Sequence, residues 1–163
     1  MIATADSSLI VALYLAEVDS ARADAACASV PPPILLTEWH RVEIANAFQR
    51  AVKNGRITVT QAALLWQDFT ADIAAGRFEI VAIDHAAVLS RTLELTQKHT
   101  ATIGTRSLDL IHIASALEMA SPQFVRNQIP GVAVVSLKIG GEFLSFDHRQ
   151  RQAASAEGMT VIP

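Results

Sequence analysis

The sequence predicts an α/β fold with a central, mostly parallel sheet. Three observations predict it. Short apolar runs of strand composition alternate with longer runs of helical period. Cap and turn residues separate the runs. Outside residues 121–142, no two strands follow each other as a hairpin, so each strand must return through a helix. At 163 residues, one domain spanning 1–163 is the expectation, with a sizeable core. The composition, 51% hydrophobic but only 6% aromatic, makes that core aliphatic and alanine-rich.

Taken in order, Ile2–Ala5 reads as a short strand. Asp6-Ser7-Ser8 has N-cap chemistry and leads into a helical run, Leu9–Glu17. Ser20–Ala28 is a second short helix, ending before Pro31-Pro32-Pro33. Ile34–Leu36 is a brief strand, and Thr37 caps a helix over Glu38–Asn54 that Gly55 stops. Its expected core stripe is Val42, Ala45, Phe48 and Val52, with Glu43 on the flank. Thr60 opens another helix to about Ala75, ended by Gly76. On it, Trp66 and Phe69 stand at helical spacing as packing residues.

Phe78–Ile83 has strand composition, Asp84 caps a helix over Ala86–His99, and Thr100–Thr105 is a loop. The stretch Arg106–Ala120 is apolar on nearly every side, the mark of a buried helix: Leu110, Ile113, Ala114 and Leu117 form a stripe that Leu108, Ile111 and Ala116 widen. Residues 121–142 break the pattern with Pro122, Pro130-Gly131 and Gly140-Gly141, and Val132–Leu137 within them reads as an added edge strand or one arm of a hairpin. Phe143–Phe146 is a short strand ending in Asp147. His148–Glu157 is a polar helix closed by Gly158, and Met159–Ile162 a last strand.

The formal charge of −3 and pI near 5.9 give no global attraction to nucleic acid or anionic lipid, so any polyanion must be held by a local basic patch. Cys27 is the single cysteine, which excludes an internal disulfide and a cysteine-rich zinc site. The apolar start has no Lys or Arg ahead of it and is broken by Asp6, unlike a secretory signal. Its longest uncharged stretch, Leu9–Ala16, is too short to span a bilayer. The expectation is a soluble, unprocessed cytoplasmic chain with no membrane partner.

Acidic residues carry the chemistry. Asp109 stands in the first turn of the most apolar helix, and an isolated buried carboxylate costs several kcal/mol unless it is paired or metal-bound. Asp6 and Asp147 each follow a strand, and ligands of open parallel sheets bind beyond the carboxyl ends of strands. Glu43 lies within a helix that leaves another strand end. If these side chains share one crevice, either some of them are protonated or cations offset their repulsion. All-oxygen donors favour Mg²⁺ or Mn²⁺, which can polarise a phosphodiester and activate water. The same residues also have ordinary roles: Asp6 and Asp147 as helix caps, Glu43 as a solvated residue, and Arg106 as an ion-pair partner of Asp109.

Four segments together resemble the PIN-domain family. They are Asp6–Leu13 (DSSLIVAL), Val42–Phe48 (VEIANAF), Ser107–Ala116 (SLDLIHIASA) and Phe143–Arg149 (FLSFDHR). Within that family they look most like the VapC-type toxins of toxin–antitoxin pairs. The match runs from Met1 to about Gly158, and all the family's acidic positions are filled, by Asp6, Glu43, Asp109 and Asp147.

The resemblance implies a PIN-like three-layer sandwich and a Mg²⁺- or Mn²⁺-dependent ribonuclease. It further implies a homodimer inhibited by a small cognate antitoxin of VapB type. Asp6 and Asp109 would hold the main metal, with Glu43 and Asp147 completing its shell. Arg106 and Arg149 flank two of the acids and would guide RNA phosphates. The segment 121–142 departs from the family's short connection there.

His112 follows Asp109 by one turn and reads as a core histidine; His40, His85, His99 and His148 show no metal-type pairing. No nucleophile elbow and no phosphate-cradling glycine loop is present. An RNase H-like nuclease also clusters carboxylates, but usually opens with an antiparallel meander, whereas this chain turns helical directly after Asp6. An aspartyl phosphatase would want a second Asp where Ser8 stands. The non-enzymatic alternative is a PIN-like module that binds RNA or a protein without cutting.

Overall fold

A computed structural model describes residues 2–128 and 141–163. Among them the elements run β1 (Ala3–Ala5), α1 (Ser7–Tyr14), α2 (Ser20–Ala28), β2 (Ile34–Leu36), α3 (Glu38–Lys53), α4 (Val59–Ala74), β3 (Phe78–Ile80), α5 (His85–Ile103), α6 (Ser107–Met119), α7 (Pro122–Gln128), β4 (Glu142–Leu144), α8 (His148–Ala156) and β5 (Thr160–Ile162). The strands form one five-stranded sheet in the order β3-β2-β1-β4-β5. Ile34 sits opposite Phe78 and Glu142 opposite Thr160, both in parallel register. This is the predicted α/β class, a parallel sheet with helical returns. No described helix is long and apolar enough to cross a membrane. The chain divides into two compact units, Ala5–Ala82 and Met1–Thr4 with Ile83–Pro163.

The first unit, Ala5–Ala82, is centred on aromatic rings. Phe69 is fully buried, as its helical spacing predicts. The rings of Tyr14, Trp66 and Phe78 lie 5.8, 5.4 and 6.1 Å from it. Tyr14 also meets Phe48 edge-on, an arrangement favoured by the ring quadrupoles. Its hydroxyl donates to Asp72 Oδ2 at 2.6 Å. Burial and that carboxylate together push the phenol well above its ordinary value.

Two expectations are corrected in this unit. The buried face of α3 is His40, Ile44, Phe48 and Ala51, not the stripe through Val42, which is 61% exposed. The helix carries two overlapping apolar patterns, and packing against α1 and α4 buries the second. Helix α4 is capped by Thr58 rather than Thr60, because Gln61 completes a capping box with Thr58.

In the second unit, Leu110, Ile113, Ala114 and Ala116 of α6 pack with Val88 and Leu95 of α5, Phe143 of β4, and Ala153 and Ala154 of α8. His112 is buried as a core histidine should be, but Leu108 is 54% exposed: the first turn of α6 lies at the surface. Helix α5 runs through the expected loop to Ile103, where Gly104, at φ 78°, ends it in a left-handed turn. Within the segment read as irregular, Pro122–Gln128 forms α7. Ser121 Oγ accepts from Phe124 N at 3.1 Å, a cap followed by proline at the first helical position. The expected strand Val132–Leu137 lies outside the described residues. Phe78–Ile83 shortens to β3, and Phe143–Phe146 becomes β4, which opens one residue earlier at Glu142 and ends at Leu144.

Glu157, just past α8, has a side chain only 6% exposed. It accepts from Lys98 Nζ at 2.6 Å, His99 Nε2 at 2.8 Å and Arg91 Nη2 at 3.0 Å. Burial alone would raise its carboxyl, but the hydrogen bonds from Lys98 and His99 and the charges of Lys98 and Arg91 outweigh burial and hold it below its ordinary value. A group depressed on folding stabilises above its unfolded pKa and loses that stabilisation as pH falls through its folded pKa. Glu157→Gln should therefore flatten the loss of stability on the acid side of about pH 4.5, read as urea midpoints across pH. Phe69→Ala should cost about 3–5 kcal/mol in the same unfolding experiment, since it empties the aromatic centre.

Candidate functional site

Asp6 is the N-cap of α1: its Oδ2 accepts from Ser8 N at 3.0 Å and from the Ser8 hydroxyl. The residue is only 8% exposed. Its neighbour Ser7 donates through Oγ to Glu43 Oε2 at 2.6 Å. Asp6 and Glu43, 37 positions apart in sequence, are thereby brought together inside the unit Ala5–Ala82. The same helix α3 makes a second link to this chain segment, since His40 Nε2 lies 2.8 Å from the carbonyl oxygen of Ala5.

In the other unit, Asp109 reaches back to accept from Arg106 N at 3.0 Å, completing a box at the start of α6. Asp147 is the N-cap of α8, accepting from Arg149 N at 2.8 Å and Gln150 N at 3.1 Å. One guanidinium links the two aspartates. Arg106 Nε is 3.3 Å from Asp109 Oδ2, and its Nη2 is 3.7 Å from Asp147 Oδ2. Arg149 adds a looser contact, 3.9 Å from Asp147 Oδ1, and donates to Gly104 O at 3.4 Å. The Asp109 and Asp147 side chains keep 15% and 25% of their exposure, so Asp109 is not sealed in the core.

The four predicted acids thus appear as two linked pairs, one within each unit. Three of them sit in the first turn or cap of a helix, where the peptide dipoles stabilise negative charge by about 0.3–1 kcal/mol each. The capping roles weighed against a site for Asp6 and Asp147 are realised, and so is the Arg106–Asp109 ion pair. Every donor in the set is a carboxylate oxygen, the donor type that suits Mg²⁺ or Mn²⁺. Among the described residues, no three His, Cys, Asp or Glu side chains are gathered tightly enough to grip one ion. Asp109 and Asp147 are turned onto Arg106, and Asp6 onto Ser8.

Two residues outside the predicted acidic set organise the surroundings. Gln150 is buried; its Oε1 accepts from Ser145 Oγ at 2.6 Å and its Nε2 donates to the Asp109 carbonyl at 3.4 Å, joining the turn before Asp147 to α6. Nothing in a polar helix marked it as inward-facing. His40 was visible only as the fourth residue of Thr37-x-x-His40, a spacing that suits a capping box.

No protein-family model matches the sequence, and a search of curated proteins finds no match. Whether Arg106 is a structural strut can be measured directly. Its side chain is 69% exposed, and ion pairs so exposed contribute about 0–1 kcal/mol. Arg106→Gln should accordingly leave the urea-unfolding free energy within about 1 kcal/mol of the parent; a loss several times larger would make the arginine a fold element.

Proposed function

We propose that the chain is a Mg²⁺- or Mn²⁺-dependent endoribonuclease of PIN-domain type, hydrolysing phosphodiester bonds in single-stranded or loop RNA. The observation that carries this reading is the linkage of sequence-distant acids, Asp6 with Glu43 through Ser7 and Asp109 with Asp147 through Arg106. The surface ion pair costs little to open, so Arg106 can exchange the aspartates for an RNA phosphate.

When bound, a divalent ion supplies a Lewis acid and lowers the pKa of its water. Asp6 and Asp109 are the residues assigned to hold it directly. Glu43, its Oε2 held by Ser7, would orient a water beside the ion, and Asp147 would help to hold the ion. Arg106 and Arg149 draw the RNA backbone towards an otherwise acidic surface. Toxin activity, a VapB-type antitoxin partner, a homodimer and a cytoplasmic location belong to this proposal through the family resemblance alone.

The competing reading is a PIN-like module that binds RNA or a protein without cutting. What favours it is that Arg106 already engages both Asp109 and Asp147. Cleavage decides between the two. The purified protein should cut RNA with Mg²⁺ or Mn²⁺ and stop on chelation. Asp109→Asn, folding normally, should lose at least about a hundredfold in rate, because even the groups that merely orient metal ligands are worth 10–100-fold. Parental cutting by that variant, or cutting in the presence of chelator, sinks the metal mechanism.

A further inference from the structure

We propose that His40 is a positioning residue: it pins the end of β1, and with it Asp6, to the helix that carries Glu43. The inference rests on the metal-site reading above and adds to it a residue that touches neither ion nor RNA.

The hydrogen bonds of His40 define its chemical form. Nδ1 accepts from Thr37 N at 3.0 Å, and Nε2 is 2.8 Å from Ala5 O. A carbonyl only accepts, so the proton sits on Nε2 and the Nδ1 lone pair faces the Thr37 amide. The ring is 1% exposed.

Helix α4 shows what capping alone requires. There Thr58 N donates to Gln61 Oε1 at 2.7 Å and Gln61 N to Thr58 Oγ1 at 3.1 Å, with Gln61 exposed. Helix α3 builds the same kind of box with a buried imidazole. Burying a second polar nitrogen is unfavourable unless it too finds a partner. The bond to Ala5 O is therefore what the histidine provides beyond a cap.

That bond lands one residue before Asp6. One turn further along α3, Glu43 takes the hydroxyl of Ser7, one residue after Asp6. Two rungs from one helix thus straddle the aspartate and set its backbone, at φ −75° and ψ 146°, relative to Glu43. Ligands that share an ion need positions held to roughly 0.5 Å, and side chains locked by such hydrogen bonds provide that.

The test uses the full chain with Mn²⁺ as the probe. Binding is read by electron paramagnetic resonance or calorimetry, alongside RNA cleavage at saturating Mn²⁺. His40→Leu should weaken Mn²⁺ binding by about 10–100-fold while leaving KM for RNA unchanged at saturating metal. His40→Gln presents an acceptor and a donor at similar spacing and should return Mn²⁺ affinity to within about threefold of the parent, the loss of an orienting group being about 10–100-fold. If His40→Leu does not fold, His40→Asn replaces it, being able to cap Thr37 but too short to reach Ala5. Parental Mn²⁺ affinity in the Leu or Asn variant, with Asp109→Asn losing it, overturns the role of His40 and leaves the metal site standing. Equal losses in the Leu and Gln variants overturn the hydrogen-bond account. A parental protein that binds no Mn²⁺ removes the metal-site reading and this inference with it.

Discussion

Carboxylates can stand near one another in a folded protein only if something offsets their repulsion and their lost hydration. Here the first contribution comes from helix starts. Asp6, Asp109 and Asp147 each lie at the beginning of a helix and each accept backbone N–H donors there. Parallel α/β topology makes this arrangement natural, because a strand that must return through a helix ends in a turn that needs a cap. The residues best suited to cap are also oxygen donors, so one feature serves both fold stability and the proposed chemistry.

The second contribution differs between the units. Around Asp6 and Glu43 it is neutral: hydroxyls of Ser7 and Ser8 donate to the carboxylates, and α3 is stitched to residues 5–7 through His40 and Glu43. Around Asp109 and Asp147 it is ionic: the exposed Arg106 is shared by both acids, and Arg149 adds a looser contact to Asp147. The buried Ser7, donating to Glu43, fixes geometry. An exposed guanidinium at 3.3 and 3.7 Å can exchange partners. In the proposed mechanism the first arrangement places metal ligands, and the second offers Asp109 and Asp147 to the metal and Arg106 to the substrate.

The contrast between α3 and α4 shows how a local motif acquires a non-local role. Both helices begin with a threonine followed three residues later by a side chain that bonds back to the cap. In α4 that side chain is an exposed glutamine and the motif ends at the helix. In α3 it is a buried histidine whose other nitrogen reaches the end of a strand 35 positions away. The buried face of α3 includes this histidine. It runs through His40, Ile44 and Phe48, and Val42 is turned outward.

From sequence alone, the α/β class, most helix and strand positions, and the capping aspartates were legible, because short-range periodicity and cap chemistry encode them. Asp84 and Asp147 cap the helices they precede, and α2 and β2 span the predicted residues. Less was legible wherever two local solutions were equally good. The apolar residues of α3 permit two stripes, Thr58 and Thr60 both offer a cap, and Thr100–Ile103 continue α5 where a loop was expected. Pairing of the acids, the inward turn of Gln150 and the bond from His40 to Ala5 belong to tertiary structure alone. Each depends on a contact between residues dozens of positions apart, and a contact at that range leaves no periodicity in the chain to read.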